Sequence, residues 1–354
     1  MLKDINTLLK LMVEHEASDL HLTAKWPAHM RVDEKLMAVD DHVLSPEEVK
    51  NLIYSMLSKP QIEKFERDLE LDISFELAGI SRYRVNVFKQ RGMIGASIRL
   101  IPYKIWTFEQ CGLPANVVTI LCRKPKGLVL ITGATGSGKS TSLASMVDWI
   151  NHDRPCHIIT IEDPIEFVHK NNKAVIEQRE IYSDTHTFPA ALKHVLRQDP
   201  DVILIGEMRD LETIESALII AETGHLVFAT LHTSDCVQTI NRVVDVFPAH
   251  QQQQIRTQLS FVLIGIMSQQ LIPKTGGKGR ILAVEILLSN PAVRSLIRES
   301  KIHQIYSIMQ TSQKEGMRTM NQALFELYQK RILPYEEAIS RSTDPDDLIR
   351  LFKR

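Results

Sequence analysis

A chain of 354 residues is too long for one ordinary hydrophobic core and points to about two domains, while 44% apolar and 24% charged residues are the proportions of a soluble globular protein. The formal net charge of −1 hides no long run of one sign, which argues against a nucleic-acid partner. The best apolar stretch, residues 259–267, falls far short of the roughly 18 residues a membrane helix needs, so no direct membrane insertion is expected.

In chain order, Ile5, Leu8, Leu9 and Met12 share one face of a helix predicted from residue 1 to about residue 16. That opening has neither the continuous apolar core nor the small-residue cleavage site of a signal peptide, so a cytoplasmic location is expected. Cys111, Cys122, Cys156 and Cys236 form no C-x-x-C pair and read as small core residues in a reducing compartment. Alternation predicts strands at 19–23, 30–32 and 35–39. Ser45, Pro46 and Glu48 then form a capping box that opens a helix carrying Leu52, Ile53, Met56 and Leu57. Strands at 69–77, 82–89 and 93–101, with Gly79 and Gly92 at the turns, predict an antiparallel meander. Residues 1–102 are thus expected to form a small α+β domain, and 103–114, with Pro, Gly and little periodicity, a linker.

Residues 115–354 carry a different pattern. Apolar strands at 128–132, 157–162, 175–180, 202–207, 226–231 and 281–288 alternate with helical segments, which predicts an α/β domain built on a parallel sheet. Beyond residue 290 the chain reads as helical. The first of these strands leads into Gly133, Ala134, Thr135, Gly136, Ser137, Gly138, Lys139 and Ser140, which fit the phosphate-loop pattern G-x-x-x-x-G-K-[ST]; Thr141 and the helical spacing of Leu143, Met146, Val147 and Ile150 follow. The glycines free the backbone N–H groups to converge on phosphates at a helix N-terminus. Lys139 is expected to reach the β- and γ-phosphates of ATP, and Ser140 to offer its hydroxyl to Mg²⁺.

Two further strands end in carboxylates. The strand at 202–207 ends in Glu207 like a Walker B segment, and Glu207 is expected to hold Mg²⁺ through a water. The strand at 157–162 leads into Glu162, Asp163 and Glu166, of which Glu162 is the expected base or orienting group for the attacking water. His225 and His232 bracket the strand at 226–231; both could end near the edge that holds Glu207, and each reads equally well as a hydrogen-bonded loop residue. Zinc is not expected, because no cysteine lies at ligand spacing beside either histidine. Arg82, Arg84, Arg91, Arg99, Arg179 and Arg197 could bring positive charge to phosphoryl transfer, although an arginine on a strand reads first as charge presented to solvent.

Taken together, the phosphate loop, the acidic box at 161–167, the Walker B segment at 197–210 and the histidine box at 222–233 resemble the secretion ATPase superfamily, and closely the type IV pilus retraction ATPases of the PilT type. Residues 18–22, 82–86 and 292–299 add to the resemblance, the last looking like a motif tied in that family to retraction. The resemblance covers essentially the whole chain. It implies a PAS-like N-terminal domain, a RecA-like ATPase domain and a homo-hexameric ring with ATP between the domains. It also implies docking on an inner-membrane pilus platform protein at the cytoplasmic face, pilin depolymerisation and twitching motility. By the same resemblance, Glu162 is catalytic, Glu207 serves Mg²⁺, His225 and His232 sense nucleotide, and Arg82 and Arg84 approach the phosphates. Ala134, Asn241, Val293 and Ser295 depart from the family pattern. They leave open the alternative of an accessory paralogue resembling PilU, with a paralogous retraction ATPase as its partner. The longer N-terminal region and four-cysteine zinc site of the assembly and secretion branches are missing from this sequence, so retraction is the expected direction.

Overall fold

The computed structural model describes residues 4–32, 35–77, 79–101, 104–275 and 279–353. Residues 1–3 of the expected first helix and residue 103 of the expected linker lie outside these. Internal packing divides the chain into two compact units, residues 1–104 and 105–354.

In the first unit, α1 (Ile5–Glu14) buries Ile5, Leu8, Leu9 and Met12, the face its spacing predicts. Strands β1 (Asp19–Thr23), β2 (Pro27–Val32) and β3 (Lys35–Val43) precede α2 (Pro46–Tyr54). At the start of α2 the capping box forms: the Glu48 N–H donates to Ser45 Oγ at 3.2 Å and the Ser45 N–H to Glu48 Oε2 at 2.7 Å. A helix absent from the sequence reading, α3 (Lys59–Asp68), follows with its own box, the Ser58 N–H donating to Gln61 Oε1 at 2.8 Å. Its single fully buried residue, Phe65, gives too faint a stripe to announce it. Strands β4 (Glu70–Leu77), β5 (Ser81–Gln90) and β6 (Met93–Ile101) form the expected meander and join the earlier strands in one antiparallel sheet, ordered β3-β2-β1-β6-β5-β4. Along β5, Tyr83, Val85 and Val87 enter the core while Arg82, Arg84 and Asn86 take the other face.

The second unit opens with α4 (Phe108–Cys111) and α5 (Ala115–Cys122). A seven-stranded sheet follows, comprising β7 (Gly127–Thr132), β8 (His157–Glu162), β9 (Val175–Glu180), β10 (Val202–Ile205), β11 (Leu226–Leu231), β12 (Leu263–Pro273) and β13 (Arg280–Leu288). Helices α6 (Lys139–Asp153), α7 (Phe188–Val195), α8 (Leu211–Glu222), α9 (Cys236–Asp245) and α10 (Gln252–Val262) link these strands. The order β13-β12-β7-β11-β10-β8-β9 is parallel except for β13.

One strand is added here and one expectation is corrected. The apolar run at 259–267 contains the change from α10 to β12 with no turn residue between, so hydrophobicity alone could not divide it. The edge strand β13 is antiparallel because a hairpin, too short for a crossover, joins it to β12. Apolar side chains on both faces of β7 separate into two core layers: Leu128 and Leu130 in one, Val129 and Ile131 in the other. The end of the chain is helical, as expected, with α11 (Pro291–Arg298), α12 (Ile305–Thr311), α13 (Met320–Gln329), α14 (Tyr335–Arg341) and α15 (Pro345–Phe352).

Candidate active site

All six parallel strands deliver their carboxyl ends to one edge of the sheet, the place where α/β folds bind ligands. There β7 passes into the phosphate loop and α6. Gly133, Gly136 and Gly138 have φ of 139, 78 and 92°, which L side chains resist. At Gly133 a Cβ would also lie 2.4 Å from the Gln269 carbonyl oxygen and 2.6 Å from Ser137 Oγ. What the loop can present is therefore backbone N–H groups and the positive end of a 15-residue helix.

Lys139 is 8% exposed, and its Nζ donates to the carbonyls of Gly133 at 2.8 Å and Ala134 at 3.0 Å. Burial lowers its pKa, and the charges of Glu207 and Glu166 oppose that shift. Ser137 Oγ is buried with no hydrogen-bond partner, an unmet need that a phosphate oxygen would satisfy. Ala134, Thr135 and Gly136 are exposed, while Ser140 and Thr141 at the start of α6 are partly buried. These features fit a nucleotide's phosphates.

Strand β10 ends at Ile205, two residues before Glu207. The intervening Gly206 allows a close approach to the end of β8, since a Cβ there would lie 3.1 Å from the Ile161 carbonyl oxygen and 3.2 Å from the Glu162 Cα. The two carboxylates that follow meet opposite surroundings. Glu162 is pushed up to about 7 by burial, against hydrogen bonds from Thr160, Gln178 and the Glu166 backbone. Burial acts in the same direction on Glu207, yet its pKa is lowered because Arg209 and His232 outweigh it. Arg209 grips both oxygens of Glu207, Nε to Oε1 at 2.5 Å and Nη2 to Oε2 at 2.7 Å, and His232 Nε2 lies 3.1 Å from Oε1. Serving a metal-bound water would require Glu207 to give up part of that grip.

The histidines separate. His232 follows β11 and reaches Glu207, as its position suggested. His225 precedes β11, and its backbone carbonyl accepts from the Gly127 N–H at the start of β7. Its ring Nδ1 is tied to the Ile220 carbonyl at 3.1 Å and Thr223 Oγ1 at 3.2 Å. In a parallel strand the two ends of one element lie on opposite edges, here roughly 20 Å apart. Of the two histidines that could end near Glu207's edge, His232 does and His225 does not: within one chain His225 is remote from the phosphate loop.

The arginines take varied places. Arg179 donates to the Asp184 carbonyl and closes the turn after β9, Arg197 is exposed near the end of α7, and Arg91 occupies a turn at φ 50°. In the first unit Arg99 pairs with Asp19 at 2.9 Å, and Arg84 lies opposite Arg99 in the sheet. On the edge of the second unit away from the phosphate loop is a cavity of about 550 Å³, bordered by Lys126, Gly127, Phe261 and Arg294. Val293 and Ile297 of α11 are buried, Leu296 packs against the same core, and Arg294 and Arg298 remain outside it.

Three residues that attend the carboxylates were not singled out from sequence. Arg209, in the Walker B segment, was readable as a charge two residues from Glu207. Thr160, two residues before Glu162 on the same strand, was readable from strand alternation in the same way. Gln178 carried no such signal, because its meeting with Glu162 depends on the register of β8 against β9.

Comparison with known proteins agrees with this arrangement. The family model for type II/IV secretion system proteins matches residues 1–339. The type IV pilus retraction ATPase PilT of Pseudomonas aeruginosa is 48% identical over 344 residues, covering 97% of this chain and 99% of that protein. The type IV pilus ATPase PilU of the same organism is 40% identical over 350 residues, covering 99% of this chain and 91% of that one. A crystal structure of the pilus retraction motor PilT with bound ADP superposes with a TM-score of 0.93 at 49% identity, covering 99% of this chain and 100% of that one. Matched over nearly its whole length by the family model, by PilT and by the PilT structure, this chain belongs to the type II/IV secretion system protein family and is an ATPase of the PilT type.

Proposed function

We propose that this ATPase drives type IV pilus retraction from the cytoplasm, as a homo-hexameric ring docked on the pilus platform protein of the inner membrane. The observation that carries the reading is the convergence of the phosphate loop, Glu162, Glu207 and His232 on one sheet edge, in a chain similar to PilT throughout its length. ATP is the substrate. Its phosphates take the loop of residues 133–138 with Ser140 and Thr141, and Lys139 exchanges two carbonyl partners for the β- and γ-phosphates. Glu162 accepts a proton from the attacking water as the water oxygen bonds to the γ-phosphorus. The bond from that phosphorus to the bridging oxygen breaks, releasing ADP and phosphate. Ser140 and, through a water, Glu207 are the residues that would hold Mg²⁺, which would supply positive charge to the phosphate oxygens. His232, against Glu207, senses whether that carboxylate is engaged.

Arg82 and Arg84 complete the site of a neighbouring subunit. The support is their place on the face of β5 opposite the core residues Tyr83 and Val85. His225 reports on nucleotide only indirectly, through strand β11. The principal-motor reading is preferred to an accessory role resembling PilU, because every charge that hydrolysis needs is present and identity is 48% to PilT against 40% to PilU. A paralogous ATPase could still share the ring.

Deleting the gene tests the function directly: pili should extend but not retract, and normal retraction would refute the proposal. Mixing tests the ring. Lys139→Ala and Arg82→Ala/Arg84→Ala subunits, each inactive alone, should regain part of the turnover when co-assembled, since some interfaces then combine intact Lys139 with intact arginines. No recovery in verified mixed rings would remove the arginines from the neighbouring site.

A further inference from the structure

Strands β8 and β9 pair in parallel with Thr160 opposite Gln178 and Glu162 opposite Glu180. Because side chains alternate along a strand, these four share one face. Two donors on that face converge on one oxygen: Thr160 Oγ1 lies 2.6 Å and Gln178 Nε2 3.2 Å from Glu162 Oε1.

The Gln178 amide is itself fixed. Its Oε1 accepts from the His169 N–H at 2.8 Å, and its Nε2 donates to the Phe167 carbonyl at 2.8 Å as well as to Glu162. Rotating the amide by half a turn would set its oxygen against two acceptors and its NH₂ against a backbone donor, so the hydrogen-bond pattern allows one orientation. Two further carboxylates lie nearby. Glu166 is an exposed neighbour whose charge raises the Glu162 pKa, and Glu180, also on this face, is held by the Ile165 N–H at 3.1 Å and Ser183 Oγ at 3.3 Å.

We propose that Gln178, together with Thr160, is a positioning residue for hydrolysis: it holds the Glu162 carboxylate in one rotamer and stabilises its anionic form. The inference rests on the reading of Glu162 as the base. Fixing one carboxylate oxygen removes rotational freedom that the base would otherwise lose in the transition state. Donors to the anion also lower the pH at which a desolvated carboxylate gives up its proton. Because Gln178 ties residues 167 and 169 to the same group, the loop after the acidic box and the base are set by one side chain.

The test is steady-state ATP hydrolysis by the full-length assembled protein. Thr160→Val removes one donor without touching the loop, Gln178→Met removes the amide at similar volume, and Thr160→Ser restores a hydroxyl. Thr160→Val and Gln178→Met should each lower kcat by about tenfold to a hundredfold, the scale of one hydrogen bond to a charged group, with KM for ATP within twofold. The acid limb of the kcat–pH profile should move to higher pH in both, and Thr160→Ser should recover most of the rate. Unchanged kcat in Thr160→Val, or a lower kcat in Gln178→Met with the acid limb unmoved, would overturn the inference in favour of a purely structural amide. If Gln178→Met fails to fold, Thr160→Val alone decides. Glu162→Gln keeps the two failures apart: near-normal turnover in that variant removes the base itself, whereas an inactive Glu162→Gln beside a fully active Thr160→Val removes only the positioning role.

Discussion

Glu162 is the last residue of β8 and Glu207 lies two residues past the end of β10 on the same sheet edge, yet the protein drives their acidities apart. Around Glu162 the partners are a hydroxyl and an amide, neutral donors too weak to cancel the cost of burial, so its carboxyl is pushed up to about 7. Around Glu207 they are a guanidinium and an imidazole, and its pKa is lowered despite burial. The contrast matches the division of roles proposed for them. A group that titrates near the working pH can take a proton and return it, whereas one held as an anion is suited to a cation's hydration shell.

The comparison can be broken at the phosphate loop. Lys139→Ala removes the amine drawn by Glu207 and Glu166 charge and needed by both assignments. ATP turnover should fall by about 10³-fold or more while circular dichroism stays native; unchanged turnover would dissolve the site. Glu162→Gln comes next, with an expected loss of about 10²- to 10⁴-fold in kcat and little change in ATP binding. In the unmodified protein kcat should decline as pH falls through about 7, because protonated Glu162 cannot accept the water's proton.

The same substitution has an opposite effect on stability. Below the pKa of an unfolded glutamate both states hold the proton and the burial penalty vanishes. Between there and about 7 the unfolded chain has released a proton that the native state retains, so stability falls as pH rises. At pH 8 Glu162→Gln should therefore be more stable than the parent by about 1–3 kcal/mol, and the gain should fade below pH 5. A gain independent of pH would refute the burial account.

Glu207→Gln sharpens the contrast from the other side. Turnover should fall, with partial recovery at raised Mg²⁺ that Glu162→Gln does not show; identical Mg²⁺ titrations would merge the two roles. The smallest effect on chemistry is expected far from both carboxylates. Arg294 borders the cavity at the sheet's other edge, its Nε donating to Ser289 Oγ at 3.2 Å, and the Arg298 guanidinium lies 6.0 Å from the Phe261 ring. Arg294→Ala with Arg298→Ala should keep ATP turnover within about threefold, since Val293 and Ile297 still anchor α11, yet stop retraction in cells. Normal retraction by the double variant would show that this helix only packs.

The sequence by itself determined what is local. A strand, three glycines, Lys139 and Ser140 are contiguous, so the phosphate loop, its helix and most strands could be read from period and spacing. The capping box at Ser45 was legible for the same reason. Tertiary structure decided what depends on strand order, direction and register. A strand's length separates His225 from the edge where His232 meets Glu207, although seven positions in the sequence keep them neighbours. The helix-to-strand change inside the apolar run at 259–267 was settled by pairing with β7, where Gly265 fits against Leu121 and the Leu287 carbonyl. The acidity of Glu162 belongs to this second class: burial raises its pKa, the β8–β9 register sets Gln178 to oppose that shift, and neither is written in the residues beside it.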